Sequence, residues 1–420
     1  MNMSIPDPNS NMWECPAYVV LINETGNSSC VPDERIVDLV RNGEAAILLP
    51  SIIYTAILMV LGLPGNFAVI FVYLFKMDKT PSRRFFISLA VCDFVNCSFG
   101  MPVELGLLSN FYTFDYPWLC RISRFMNYFL NNTSSCLHIA IAFDRYRRVR
   151  YPLRPAMTVV CFKLVCIIAV IFSFISACPA LFIYGTKSNW FEIPDVNRTF
   201  ILTKTCHVDD SADKILRLAF SIYLLIATLL TFFMLITLYA LITRVLVRRR
   251  TFLAHAYTCV KDPKHKSTKS ARSTSTSNVL IHLTRPSDPD INIHAAVDSH
   301  VVIVEPFRDR THSDMSGVTI HGIKLRVGRT TFILFIVTLV FMLSFIPHLV
   351  IINMRYTNQD VFTDLSRLGW QVFHVGLRSY LLNSAVNPMI YCFLNKDFRT
   401  KVCSVLKSLF FICKQRKSGS

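Results

Sequence analysis

With 420 residues, 52% of them hydrophobic and only 17% charged, the chain is too apolar for an ordinary soluble protein, in which about 25% of residues are charged. A formal net charge of +17 and a mean hydropathy of +0.42 suit an anionic membrane face. The basic residues flank apolar runs and form no separate basic domain, which argues against nucleic acid as a partner.

Residues 1–45 read as an N-terminal segment. They lack a basic start followed by an apolar core, so no cleaved signal is expected and the first membrane helix would target the chain. A membrane helix needs about 20 apolar residues. Seven stretches meet or approach this: 46–75, 85–108, 120–147, 158–184, 215–247, 327–353 and 366–394. The first five fill residues 46–247, and the last two fill 326–394. The third carries Asn127, Asn131 and Asn132, and the seventh carries Gln371, His374, Arg378 and Asn383. In lipid such side chains must face a bundle interior or a wet cavity. The predicted fold class is therefore all-α: a seven-transmembrane helix bundle with a polar centre.

Between spans five and six, residues 248–325 are rich in Ser, Thr, His and basic residues, and read as a long disordered loop. Within it, 267–277 carries many hydroxyls beside Lys and Arg, the composition of a phosphorylation site. Residues 395–420 hold an amphipathic eighth helix near 397–412, with Phe398, Val402, Val405 and Leu409 at helical spacing, and a short tail. Cys403 and Cys413 stand where palmitoylation would anchor that helix; the alternative is two unmodified thiols.

Charge orients the bundle. Lys76, Lys79, Arg83 and Arg84 follow span one, Arg147, Arg148, Arg150 and Arg154 follow span three, and Arg248, Arg249 and Arg250 follow span five. The N-terminal segment instead carries Glu14, Glu24, Asp33, Glu34, Asp38 and Glu44. The positive-inside rule places the N-terminus outside, in a multi-pass protein of the plasma membrane. Glycosylation sequons at Asn2, Asn23, Asn27 and Asn197 then all face outward, whereas those at Asn96, Asn131 and Asn132 fall within spans.

Two motifs carry most of the functional signal. Asp144-Arg145-Tyr146 ends span three, an acid and a base side by side at the inner mouth of an apolar helix; an interfacial Arg reaching for headgroups is the alternative. Asn387-Pro388-x-x-Tyr391 ends span seven, where the proline frees carbonyls for a neighbouring Asn or water; a simple kink is the alternative.

Together, on the third and seventh of seven spans, these motifs resemble the rhodopsin-like family of G-protein-coupled receptors, over about residues 46–415. Gly65-Asn66, Asp93 in span two, Tyr239 in span five, Pro347 in span six and Phe398-Arg399 match further landmarks. The resemblance implies a disulfide between Cys120 and Cys206. It implies that Asp144 holds Arg145 at rest, and that Tyr239 and Tyr391 later bridge beside it. It implies a pocket for an allosteric Na⁺ formed by Asp93, Ser134, Asn383, Asn387 and Asn66; a protonated, hydrogen-bonded Asp93 is the alternative. No other cofactor and no catalytic activity are implied; the partners would be an extracellular ligand, a heterotrimeric G protein, arrestin, receptor kinases and membrane lipid.

Departures exist. Span four lacks Trp, Thr231 stands where Pro is usual, and Phe345 replaces the Trp two residues before Pro347. No acid lies near Val327 to pair with Arg145, so raised basal activity is expected.

Asn127 stands where amine receptors carry Asp, and Leu381 stands where opsins carry Lys, which argues against a biogenic amine and against retinal. Glu104, Arg121, Arg124, Asn127, His348, Arg378 and Tyr380 are candidates to line the outer mouth; the alternative for Arg121 and Arg124 is snorkelling to the interface. Charges of both signs suit a peptide, and the chain is similar to invertebrate neuropeptide receptors. The other reading is an orphan or constitutively active receptor for a non-peptide small molecule. A transporter would need internal repeats or broken helices, which the sequence does not display. Cys15 and Cys30 can pair within the N-terminal segment.

Overall fold

The computed structural model describes residues 19–22, 28–30, 34–111, 114–152, 154–192, 199–209, 213–261, 324–357 and 365–417. The sequons at Asn2, Asn23, Asn27 and Asn197, Cys15 and the Ser/Thr run at 267–277 lie outside these residues. Met1–Arg248 and Arg329–Ser420 make one compact unit, and Arg249–Gly328 a second.

Helix α1 (Glu34–Phe75) begins inside the segment expected to precede the first span. The second span is not one regular helix. It runs as α2 (Pro81–Val95), a π-helical turn at Asn96–Gly100, and α3 (Met101–Ser109). Pro102, the second residue of α3, has no N–H to continue an ordinary ladder. Helix α4 (Pro117–Arg150) has 34 residues, hence a length of about 50 Å. Helices α5 (Val159–Ala177) and α6 (Ala180–Ile183) follow.

Helix α7 (Lys214–Lys261) continues well past the expected end of span five at 247. The added residues include Leu253, Ala254 and Ala256 and no Gly or Pro until Pro263, so nothing stops the helix earlier. Thr231 sits inside it with its hydroxyl bonded to the Ala227 carbonyl at 2.8 Å, and the helix stays unbroken where a proline would kink it. Helix α8 is Lys324–Thr357.

The seventh expected span, 366–394, is broken. It consists of α9 (Arg367–Leu377), a 3₁₀ turn at Ser379–Leu381, and α10 (Leu382–Leu394). Helix α11 (Lys396–Lys417) is longer than the 397–412 expected. Asn395 caps it, accepting from the Phe398 N–H at 3.3 Å. Phe398 is buried against Tyr73 and Tyr391.

Among the described residues, five helical stretches are long and apolar enough to cross a membrane: Ala46–Phe75, Arg83–Ser109, Val159–Ile183, Ile215–Arg249 and Thr330–Met354. The two expected spans missing from this set are the polar α4 and the broken α9–α10. Along α5, Val160, Leu164, Ile168, Ile171 and Ile175 are all exposed, an apolar face that water would not tolerate and lipid would.

A four-stranded antiparallel sheet has the order β2-β1-β4-β3, with β1 Val19–Ile22, β2 Ser28–Cys30, β3 Tyr184–Glu192 and β4 Thr199–Val208. The β3–β4 hairpin pairs Tyr184 with Val208 and Thr186 with Cys206. The N-terminal segment thus adds two strands to the hairpin that follows α6, through Val19↔Ile201 and Leu21↔Thr199.

Candidate functional site

The interior of the helical unit holds two polar sites and a buried carboxylate network between them. The first lies at the Cys120 end of α4. Cys120 and Cys206 are joined, with Cα atoms 5.4 Å apart, so β4 is tied to the first turn of α4. Below this tie Glu104 is buried, 5% exposed, and faces two guanidiniums. Arg378 Nε lies 2.9 Å from its Oε1 and Arg124 Nη1 lies 3.4 Å from its Oε2.

The helix break explains the first of these contacts. Arg378 leaves helical geometry at φ −105°, ψ 5°, and its Nη1 donates to the His374 carbonyl at 2.9 Å. A carboxylate this deeply buried requires such partners. Beside the cluster, Asn127 Nδ2 donates to Tyr380 Oη at 2.6 Å, and His348 Nδ1 meets the Leu377 carbonyl at 2.6 Å. Glu104, Arg124, Arg378, Asn127, Tyr380 and His348 are therefore brought to one end of the helical unit. Arg121 is not with them: it bonds the Tyr184 carbonyl and Asp209, at 3.0 and 3.4 Å.

A column of rings runs from this cluster toward the middle. His348 meets Tyr380, Phe345 meets Tyr380, Phe341 meets Phe345, and His138 stacks on Phe341 at 4.3 Å. Pro347 lies in this part of α8, and Ser379 Oγ donates to the Ser344 carbonyl one turn earlier, at 2.7 Å.

Asp93 lies in the central network, 1% exposed, and accepts from Asn387 Nδ2 at 2.8 Å. Asn383 Nδ2 donates to Ser134 Oγ at 3.4 Å. Pro388 has no N–H, so the Ser384 carbonyl four residues earlier loses its helical donor. Asn66 Nδ2 supplies one at 2.8 Å, and it also bonds the Gly62 carbonyl at 2.9 Å. Close approach of α1 to α10 permits this. A Cβ on Gly65 would lie 2.9 Å from Pro388 Cβ, and one on Gly62 would lie 3.2 Å from Ala385 Cα. The side-chain oxygens of Asn66, Asn383 and Asn387 are buried and have no hydrogen-bond donor among the described residues. Amide and carboxylate oxygens are the atom types that a hard cation takes as ligands.

The second site lies at the far end of α4. Asp144 is fully buried and Arg145 is 4% exposed. Arg145 Nη2 and Arg148 Nε both reach Asp144 Oδ2, at 2.9 and 2.7 Å. Tyr146 packs against the core there. Tyr239 Oη does not meet Tyr391. It bonds the Leu334 carbonyl and Thr338 Oγ1, both at 3.0 Å, and so links α7 to α8. Tyr391 Oη has no hydrogen-bond partner among the described residues, and its ring packs on Phe86, Tyr73 and Phe398. The bridge implied between the two tyrosines is not made in this structure, because Tyr239 is held by α8. Cys403 is exposed on α11, whereas the Cys413 side chain lies outside the described residues.

Several contributors are named in the sequence for another reason or not at all. Arg148 stands four residues after Asp144, a helical ion-pair spacing that is readable in the chain. Asn96, a sequon within a span by sequence, donates to Ser384 Oγ at 3.0 Å. Thr338 and His138 carry no local signal, because their partners are far away in the chain.

The family model of the 7 transmembrane receptor (rhodopsin family) matches residues 65–391. Chemerin-like receptor 2 of Mus musculus is 34% identical over 106 residues, 24% of this chain and 29% of that protein. Chemerin-like receptor 1 of Rattus norvegicus is 30% identical over 166 residues, 37% of this chain and 43% of that protein. The neuromedin U receptor homolog nmur-2 of Caenorhabditis elegans is 28% identical over 149 residues, 34% of this chain and 37% of that protein. The aligned stretch spans less than half the length of each of these relatives.

Proposed function

Since this chain belongs to the rhodopsin family of seven-transmembrane receptors, a multi-pass membrane protein and not an enzyme, we propose that it is a plasma-membrane receptor that binds an extracellular peptide and activates a heterotrimeric G protein. In this reading α4 and the broken α9–α10 complete a bundle of seven spans. The N-terminus and the disulfide lie outside, and α11 lies on the inner leaflet as an eighth helix, anchored through palmitoylated Cys403 and Cys413. The peptide binds at the Glu104 cluster. Receptor kinases phosphorylate the 267–277 run and arrestin reads it.

The observation that carries the reading is the buried Asp144–Arg145 pair. Two charges are held at one end of α4 while Tyr239 is committed to α8, an arrangement suited to a resting state. Parting α8 from α7 breaks the Tyr239 bonds and opens a route to Arg145. Nucleotide exchange on a panel of purified G proteins, with membranes containing the full chain, tests this. Basal exchange above that of empty membranes is expected with at least one G protein, and Arg145→Ala should bring it to background at equal surface expression. Exchange that is unchanged by the substitution would refute the coupling role.

The orphaned amide oxygens also support a Na⁺ held by Asp93, Ser134, Asn383, Asn387 and Asn66 in the resting receptor, where it would offset the buried negative charge. A ligand that binds only the folded state raises the melting temperature. The detergent-solubilised chain should therefore melt several degrees higher in NaCl than in KCl, and Asp93→Asn should remove the difference. Equal melting in both salts for the wild type would speak for a protonated Asp93 and against the ion.

A further inference from the structure

The Glu104 cluster is not neutral. One carboxylate faces two guanidiniums, which leaves a formal charge of +1. No second carboxylate at this end is paired with either arginine among the described residues: Asp209 is ion-paired with Arg121, and Asp115 with Lys204.

The two arginines differ in what they have left to give. Arg378 is 7% exposed at the side chain, with Nε on Glu104 and Nη1 on the His374 carbonyl. Arg124 keeps 19% exposure and makes one ion-pair contact, Nη1 to Glu104 Oε2 at 3.4 Å. Among the described residues it makes no hydrogen bond besides this contact. Its Nε and Nη2 donors remain available.

Such a guanidinium, with its plane fixed at one corner by a buried carboxylate, presents a planar fork of donors in a poorly solvated place. That geometry matches a carboxylate, and the surplus charge calls for an anion. A ligand ammonium would meet a site whose one carboxylate is already doubly paired.

We propose that Arg124 is the specificity-determining residue of the ligand site, and that the ligand places a carboxylate on it. Glu104 and Arg378 are positioning residues that hold the guanidinium in place. The proposal rests on the reading above, that the disulfide end of the helical unit takes an extracellular peptide. It narrows that reading to a peptide with an anionic group, either a free C-terminal carboxylate or an Asp or Glu side chain. A neutral amidated terminus does not satisfy the site by itself.

The test uses the full chain on cells and a synthetic peptide library in which every member is made as the free acid and as the C-terminal amide. Binding to the receptor is read at the cell surface. Peptides that bind should favour the free acid by about 10- to 100-fold, the range expected for a charge-assisted hydrogen bond. Where acid and amide bind alike, replacing the Asp or Glu of the peptide by Asn or Gln should produce the same loss. Arg124→Gln should reduce either preference to near unity, read per receptor at the cell surface, and Arg124→Lys should restore part of it.

Peptides that bind equally well with every carboxylate removed would overturn the proposal and leave the peptide reading standing. A carboxylate preference that survives Arg124→Gln would do the same. A library with no binder in either form would overturn the peptide reading itself, and this inference with it.

Discussion

Arg378→Met should destabilise the folded receptor by about 1.5–3 kcal/mol, the usual worth of a buried hydrogen-bonding contact made by a charged group. The substitution keeps the length of the side chain and removes its charge. It leaves Glu104 buried, with Arg124 at 3.4 Å as its remaining ion-pair partner, and leaves the His374 carbonyl without its Arg378 donor. The loss should appear as a sharply lower melting temperature in detergent and as retention inside the cell. Removing the carboxylate as well, in Glu104→Gln/Arg378→Met, should cost less than the sum of the two single substitutions, because each of them alone already breaks the Arg378–Glu104 contact. The cycle is decisive. If the two substitutions add independently, the 2.9 Å contact is not the reason Arg378 sits at the helix break.

The second large effect is steric. Gly62→Val places a Cβ 2.6 Å from Cys97 Sγ and 3.2 Å from Ala385 Cα, and the latter is backbone that no side-chain rotation can move. Overpacking of this kind costs about 1–3 kcal/mol. A further 1–3 kcal/mol, roughly, is lost if α1 shifts enough to pull Asn66 off the Ser384 carbonyl, because that buried oxygen then keeps only the long Cys97 Sγ contact at 3.9 Å beside the Pro388 break. Gly106 is the internal control. No atom lies within 4 Å of the place a Cβ on Gly106 would occupy, so Gly106→Ala should leave expression and melting unchanged or slightly improved. Equal behaviour of the two variants would show that the α1–α10 approach does not depend on glycine.

Much of this architecture is legible in the residues, and the parts that are not share a physical cause. Hydropathy finds helices that meet lipid, so Ala46–Phe75, Val159–Ile183 and Ile215–Arg249 emerge almost as expected. It says little about a helix whose polar side chains face its neighbours, and α4 is recognisable through its motif and not its apolarity. The Asp-Arg-Tyr and Asn-Pro-x-x-Tyr motifs point to Arg145 and Pro388, because an ionisable group or a proline in lipid needs an explanation. The partners that provide it are non-local. Asn66 meets Ser384 across 318 residues, and Tyr239 meets Thr338 across 99. No window of sequence contains both ends of such a bond. The break after Leu377 is only weakly announced, by Gly376 one residue before it, and the ion-pair partner of Arg378, Glu104, lies in another helix.

The π-helical turn at Asn96–Gly100 has a consequence for reading relatives. Such a turn holds one residue more than an ordinary one, and each residue advances the helix by about 100°. Every side chain after Gly100 is thereby carried one position round the axis from where a regular helix would aim it, Glu104 included. A receptor whose second helix lacks the turn must be aligned to this chain with a one-residue gap before Met101. Without that gap, the position matched to Glu104 would be an adjacent residue on a different face, and the partner of Arg378 would look absent from a protein that has it.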